Sequence, residues 1–249
     1  MIQKWRVLPL KSYDAHMAMA IDEAISEAVA SGNDPTIRFW TWNPSAVSIG
    51  YFQSLEEEVD IQKCNQKGVD FVRRRTGGGA VYHDSKGEIT YSVIAKEELF
   101  PKDIIKSYHM ICGWIIDGLK NLDLHTEFKP INDICLNGKK ISGNAQTRRN
   151  RILLQHGTIL HDLDVETMFS LLKVGIEKIS DKVIQDVKQR VTCILDHKQI
   201  SQEEVYRALL QGFTNGKEYY IGELTSEELQ RAKELSEIKY STKEWNFMR

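Results

Sequence analysis

The chain has 249 residues, 41% hydrophobic and 27% charged, with 33 Lys and Arg against 35 Asp and Glu, for a formal net charge of −2. This composition excludes a disordered or fibrous protein, and the balanced charge argues against a dedicated nucleic-acid binder, which carries a basic excess. No apolar run approaches the ~18 residues of a membrane span, and the first residues lead into polar sequence without a signal-peptide core, so a cytosolic protein is expected.

A first strand is expected at Trp5–Leu8, then a helix over 15–31 capped by Asp14, with Ile21, Ile25, Ala28 and Val29 on its apolar face. Ile37–Trp42 and Ala46–Tyr51 read as strands around the turn Asn43-Pro44-Ser45. A helix over 55–67 opens with Glu56, Glu57 and Glu58, which suits the positive end of the helix dipole. Short strands follow at Phe71–Arg74, Ala80–His83 and Ile89–Ala95, then a long helix from Asp103 to Asn121. Further strands cover Glu127–Lys129, Asp133–Leu136, Lys140–Gln146 and Arg151–Leu160, and helices are expected near 165–173, 181–189, 202–214 and 225–238. The strands adjoin each other instead of alternating with helices, which predicts an α+β fold with mixed, largely antiparallel sheets. The scattered prolines and the lack of a Gly/Ser linker predict one catalytic domain over 1–249, with 180–249 as a small helical C-terminal part.

The densest chemical signal is Arg73-Arg74-Arg75-Thr76-Gly77-Gly78-Gly79-Ala80-Val81-Tyr82-His83-Asp84. Glycines allow a ligand close to the main chain, and consecutive N–H groups in such a turn form an anion-binding concavity. A glycine triplet alone is as well explained by a tight surface hairpin. Three arginines at its mouth favour an anion site, although neither GxxxxGK[ST] nor GxGxxG occurs. A second segment, Asn132 to Gln146, turns at Asn137-Gly138; if Ile141 faces the core, Lys140 faces the other side, with Asp133 as an orienting or metal-facing carboxylate. A lysine after a turn is more often simply solvated. His156 in Leu153–Leu160 reads first as a structural histidine, while His83 beside the glycine loop has the better claim to function. Cys64, Cys112, Cys135 and Cys193 lie far apart without a CxxC pair, which gives a disulfide framework or zinc site little support.

Taken together, RRRTGGGAVYHD (73–84), NDICLNGKKISGNAQTR (132–148) and LLQHGTIL (153–160) resemble the lipoate/octanoate branch of the lipoate–biotin protein ligase superfamily. IRFWTWNPSAVSIGYFQ (37–53), the RVT at 190–192 and STKEWNFMR (241–249) extend the resemblance over almost the whole chain, and within the branch it is strongest to lipoate–protein ligase A catalytic domains. The resemblance implies activation of lipoate by ATP and Mg2+ to lipoyl-AMP, then transfer to a lysine of lipoyl domains. Those acceptors would be 2-oxo acid dehydrogenase acyltransferase subunits and the glycine-cleavage carrier protein. By position, it implies ATP contacts from Arg74, Gly77, Gly78, Gly79, Ala80, Val81, Tyr82, Asp133 and Lys140. Lipoate contacts are implied for Gly79, His83, Lys140 and His156, with Lys140 catalytic. Longer relatives carry an accessory domain that is absent here, which implies a separate small accessory protein. One alternative is an octanoyl or lipoyl transferase acting through a cysteine acyl-enzyme without ATP. Another is a non-catalytic lipoyl- or nucleotide-binding module.

Overall fold

A computed structural model describes residues 3–173 and 189–249. Eleven strands are found among them, and the expected mixed α+β organisation holds. Eight form one sheet in the order β11 (Glu218–Ile221), β1 (Lys4–Tyr13), β2 (Thr36–Trp42), β6 (Glu88–Lys96), β10 (Ile152–Leu160), β9 (Lys139–Arg149), β8 (Asp133–Leu136), β7 (Thr126–Lys129). β1 runs parallel to both β11 and β2, and every other pair in this sheet is antiparallel. The other three strands, β4 (Asp70–Arg73), β3 (Ala46–Ile49) and β5 (Val81–His83), form a small sheet in that order.

Burial follows from side-chain alternation. β6 is apolar or small at almost every position and is buried from Glu88 to Ala95, as a central strand covered on both faces must be. One face packs under α1 (Ala15–Ala30), where Ala18, Ile21, Ala24 and Ile25 meet Trp40, Ile94 and Leu154. Asp14 caps this helix by accepting from the Met17 N–H at 2.8 Å. The opposite face packs under α4 (Ile104–Lys120), where Ile111, Ile115 and Leu119 meet Phe39, Tyr91 and Ile141.

The helix expected over 55–67 is two helices, α2 (Leu55–Glu58) and α3 (Ile61–Lys67). Asp60 interrupts it, since its carboxylate caps the second helix and its N–H donates to Leu171 O. α5 (Val165–Leu171) lies within the expected 165–173, while the helix expected at 181–189 lies almost wholly outside the described residues. Beyond 200 come α6 (Gln202–Thr214), which packs on α4, and α7 (Ser226–Leu235), which packs on α1. β11 adds an edge to the main sheet, so the C-terminal residues are not helical throughout, and α8 (Lys243–Asn246) reaches back to β4.

Candidate active site

A cavity of about 200 Å³ lies where the small sheet meets the β6–β10–β9 part of the large one. Arg74, Gly78, Gly79, Ala80, Val81, His83, Lys140 and His156, all named from sequence, line it. Gly77, Tyr82 and Asp133 do not. Tyr82 alternates to the other face of β5 and packs against the small sheet's own core, and Asp133 stands behind the lining, beside Lys140 and paired with Gly143. Sequence reasoning missed Met19, Trp40, Trp42 and Ser48, which form much of the remaining wall. Nothing local distinguishes these residues from ordinary core positions, since each sits in a regular helix or strand.

Lys140 is the second residue of β9, after the turn at Asn137-Gly138, both at positive φ. The register between β8 and β9 slips there, pairing Ile134 with Ser142 but Cys135 with Lys140, so Ile141 is extra and turns into the core. That places Lys140 toward the cavity, as the alternation predicted. Its ammonium lies 2.7 Å from Asp133 Oδ1, a charge contact whose angles fall outside hydrogen-bond geometry. Thr192, from the RVT triplet, donates its N–H to Lys140 O at 2.9 Å and steadies this end of the strand.

The three arginines have three different fates. Arg73 is buried and clasps the C-terminal segment: Nε donates to Trp245 O at 3.0 Å and Nη2 to Asn246 O at 2.8 Å. Arg75 faces Glu23 at 3.9 Å. Arg74, expected to hold phosphate, meets five protein acceptors with its five N–H groups. Nε donates to Thr76 Oγ1, Nη1 to Ser48 O and Oγ, and Nη2 to Gly77 O at 2.8 Å and Gly79 O at 2.7 Å. Burial pulls its pKa down to about 10, which still leaves it cationic at neutral pH.

Arg74 therefore folds the glycine loop around itself. Because a trans peptide points its N–H opposite its carbonyl, the N–H groups of Gly78 and Ala80 are turned away from the guanidinium. Neither makes a hydrogen bond among the described residues, leaving two main-chain donors in a loop that lines the cavity. Gly50 permits this packing, since a Cβ there would overlap Gly78 O.

All four cysteines are free and buried, and none lines the cavity. Burial pushes the Cys64 and Cys193 thiols up to about 11 and that of Cys112 to about 12, and it also raises Cys135. Each is a thiol, not a thiolate, near neutral pH.

The fold and cavity define a mixed α+β domain with a pocket that is apolar on one side and cationic on the other, and comparison with known proteins gives its family. Residues 14–214 match the lipoyl protein ligase A/B catalytic domain, and the chain belongs to that family. It is 38% identical over 273 residues to octanoyltransferase LipM of Clostridioides difficile, covering 98% of this chain and 99% of the relative. It is 36% identical over 278 residues to the octanoyltransferase LipM of Brevibacillus brevis, covering both chains completely. Among solved structures, a bi-partite lipoate protein ligase studied with its E2 lipoyl domain, from Thermoplasma acidophilum, superposes with a TM-score of 0.89 at 33% identity. The match covers 99% of this chain and 97% of that one. A lipoate-protein ligase A bound with ATP gives a TM-score of 0.82 at 32% identity, covering 99% of both.

The full-length match to octanoyltransferases overturns one sequence expectation, that of an AMP-forming lipoate ligase using ATP and Mg2+. The motifs behind that expectation line the cavity of this chain, which is similar both to octanoyltransferases and to lipoate protein ligases, so they do not separate the two. Among the described residues, no helix is long and apolar enough to cross a membrane.

Proposed function

We propose that this protein transfers a medium-chain acyl group of the octanoyl or lipoyl class from a thioester donor to a lysine amine of a lipoyl domain, without ATP. The observation that carries the reading is one cavity with two kinds of wall. Met19, Trp40, Trp42 and Ala145 are apolar, and they converge on the Lys140 ammonium and the glycine loop. An acyl chain belongs against the first wall and its carbonyl against the second.

The chemistry follows from the charge that develops. When the acceptor amine adds to the thioester carbonyl carbon, negative charge builds on the carbonyl oxygen. The C–S bond then breaks, the thiol leaves with a proton, and an amide remains. A fixed cation and preset N–H donors stabilise that oxyanion more than the neutral thioester, which lowers the barrier. Lys140 and the main-chain donors of the glycine loop are of this kind. The octanoyltransferase relatives support the acyl class, and the neighbour studied with its E2 lipoyl domain supports the acceptor.

The test is mass spectrometry of a lipoyl domain incubated with the purified chain and an octanoyl thioester of a carrier protein, without ATP. Octanoylation of one lysine is expected. Modification that appears only with free acid and ATP would overturn the reading, as would binding of the acyl group with no transfer.

A further inference from the structure

Two chains of buried polar groups meet at Arg74 from opposite sides. In one, Glu88 Oε1 lies 2.7 Å from His83 Nδ1, and His83 Nε2 lies 2.8 Å from Ser48 Oγ. In the other, Asp22 Oδ2 lies 3.1 Å from His156 Nδ1, and His156 Nε2 lies 2.7 Å from Thr76 Oγ1. Both hydroxyls also contact the guanidinium, Ser48 Oγ at 3.2 Å from Nη1 and Thr76 Oγ1 at 3.2 Å from Nε. All six of these side chains except those of Arg74's own loop come from the two sheets and α1, and every one is buried.

The direction of each hydrogen bond is set from both ends. A carboxylate only accepts, so each Nδ1 carries a proton and donates it, and in a neutral ring Nε2 is then an acceptor. A guanidinium only donates, so each hydroxyl oxygen accepts from Arg74 on one lone pair and turns its own proton to Nε2 of the histidine. The carboxylates are held in turn. Asp22 Oδ1 accepts from Arg38 at 2.8 Å and Ser92 at 2.9 Å, and Glu88 Oε1 accepts from Thr90 at 2.9 Å. Trp42 stacks on His83 with ring centroids 4.1 Å apart. Burial lowers the His156 pKa against the opposing pull of Asp22, in keeping with a neutral ring.

The geometry points to Ser48 and Thr76 as positioning residues for the acyl transfer proposed above. Each presents a lone pair to Arg74 with its proton tied back to an acid-backed histidine, and together they hold the glycine loop in its working shape. A lone hydroxyl would rotate, and Arg74 would then gain alternative partners. With both rotors locked, Nη2 is left to Gly77 O and Gly79 O, and the free N–H groups of Gly78 and Ala80 stay aligned.

The first experiment reads the histidine tautomers of the full chain by nitrogen-15 NMR at neutral pH. Both His83 and His156 are expected to carry the proton on Nδ1, and the Nε2–H form at either ring would overturn the proposal. The second measures octanoyl transfer. Thr76→Val and Ser48→Ala are each expected to lower kcat about ten- to a hundredfold, with KM changed little. Thr76→Ser, which keeps the hydroxyl, is expected to recover activity to within a few fold of the parent. Equal activity in Thr76→Val and Thr76→Ser would overturn it. The tautomers are read without substrate, so they judge the relays even if no transfer is seen, and absence of transfer counts against the function alone.

Discussion

The side chain of Lys140 lies across Gly143 on the same strand, so that a Cβ at position 143 would stand 2.8 Å from Lys140 Cε and 2.9 Å from Nζ. The glycine is the floor on which the ammonium rests. Gly143→Ala must displace the flexible end of the lysine, which costs the fold little but moves the charge away from the place proposed above for the acyl carbonyl. Expected are an unchanged circular dichroism spectrum, a melting temperature close to the parent, and kcat reduced at least about tenfold. Full activity in this variant would show that the Lys140 position is not critical.

Lys140→Ala removes the charge itself. The side chain is partly exposed and its pairing with Asp133 is solvent-screened, so little stability is at stake. Transfer is expected to fall about a hundredfold or more while the unfolding midpoint in urea stays put. Steady-state rates on a lipoyl domain decide it.

Gly50→Ala attacks the loop from behind. The added methyl would overlap the carbonyl of Gly78, which is backbone and cannot swing aside. Destabilisation of about 1–3 kcal/mol is expected, together with lost transfer, because the loop must move to relieve the overlap. Denaturant unfolding measures the first and the acyl assay the second.

Replacing all four cysteines tests the route of the acyl group. Cys64, Cys112, Cys135 and Cys193 are buried with raised thiol pKa values and stand away from the cavity lining. A Cys→Ala replacement at all four sites is expected to keep transfer within about threefold, after allowance for the small cavities left in the core. Loss of activity, with an acyl group recovered on one cysteine of the parent, would establish a thioester intermediate.

Stability should fall on the acid side through His156. Its pKa is lowered from the ordinary 6.5 by burial, so the unfolded chain binds a proton that the folded one resists. Stability from this site is therefore complete above pH 6.5 and declines as pH drops toward the folded-state pKa. Asp22 adds a second decline at lower pH. Burial raises its pKa, but His156, Arg38 and Ser92 outweigh this and hold it below the usual carboxylate range. Thermal melts from about pH 7 down to pH 5 should show the first decline, and it should flatten in His156→Gln.

Most elements were legible because burial writes a period into the chain. The strands expected at 37–42 and 151–160 and the helical spacing in 15–31 correspond to β2, β10 and α1 to within a few residues. The exception is instructive. An acidic first turn, Glu56 to Glu58, opened a single expected helix over 55–67, but Asp60 turns its carboxylate to the N–H of Lys63 and its own N–H to Leu171 O, and neither partner is apparent from local spacing. The site divided in the same way. Lys140 and the glycine loop announced themselves through a turn, a strand and an unusual triplet, whereas Ser48, Asp22 and Glu88 look like ordinary polar residues in regular elements.

The amino-acid sequence alone determined the family, the mixed sheet and the identity of the cation and the loop that meet in the cavity. It did so because turns, glycines and alternation are local, and they survive in one dimension. Only the tertiary structure decided what Arg74 does. From sequence it was a phosphate ligand; folded, it meets five protein acceptors contributed by Ser48, Thr76, Gly77 and Gly79. A guanidinium has a fixed number of donors, and whether they face a ligand or the protein depends on how the loop after Arg74 folds back on it and on Ser48, from another strand, brought within 3.2 Å.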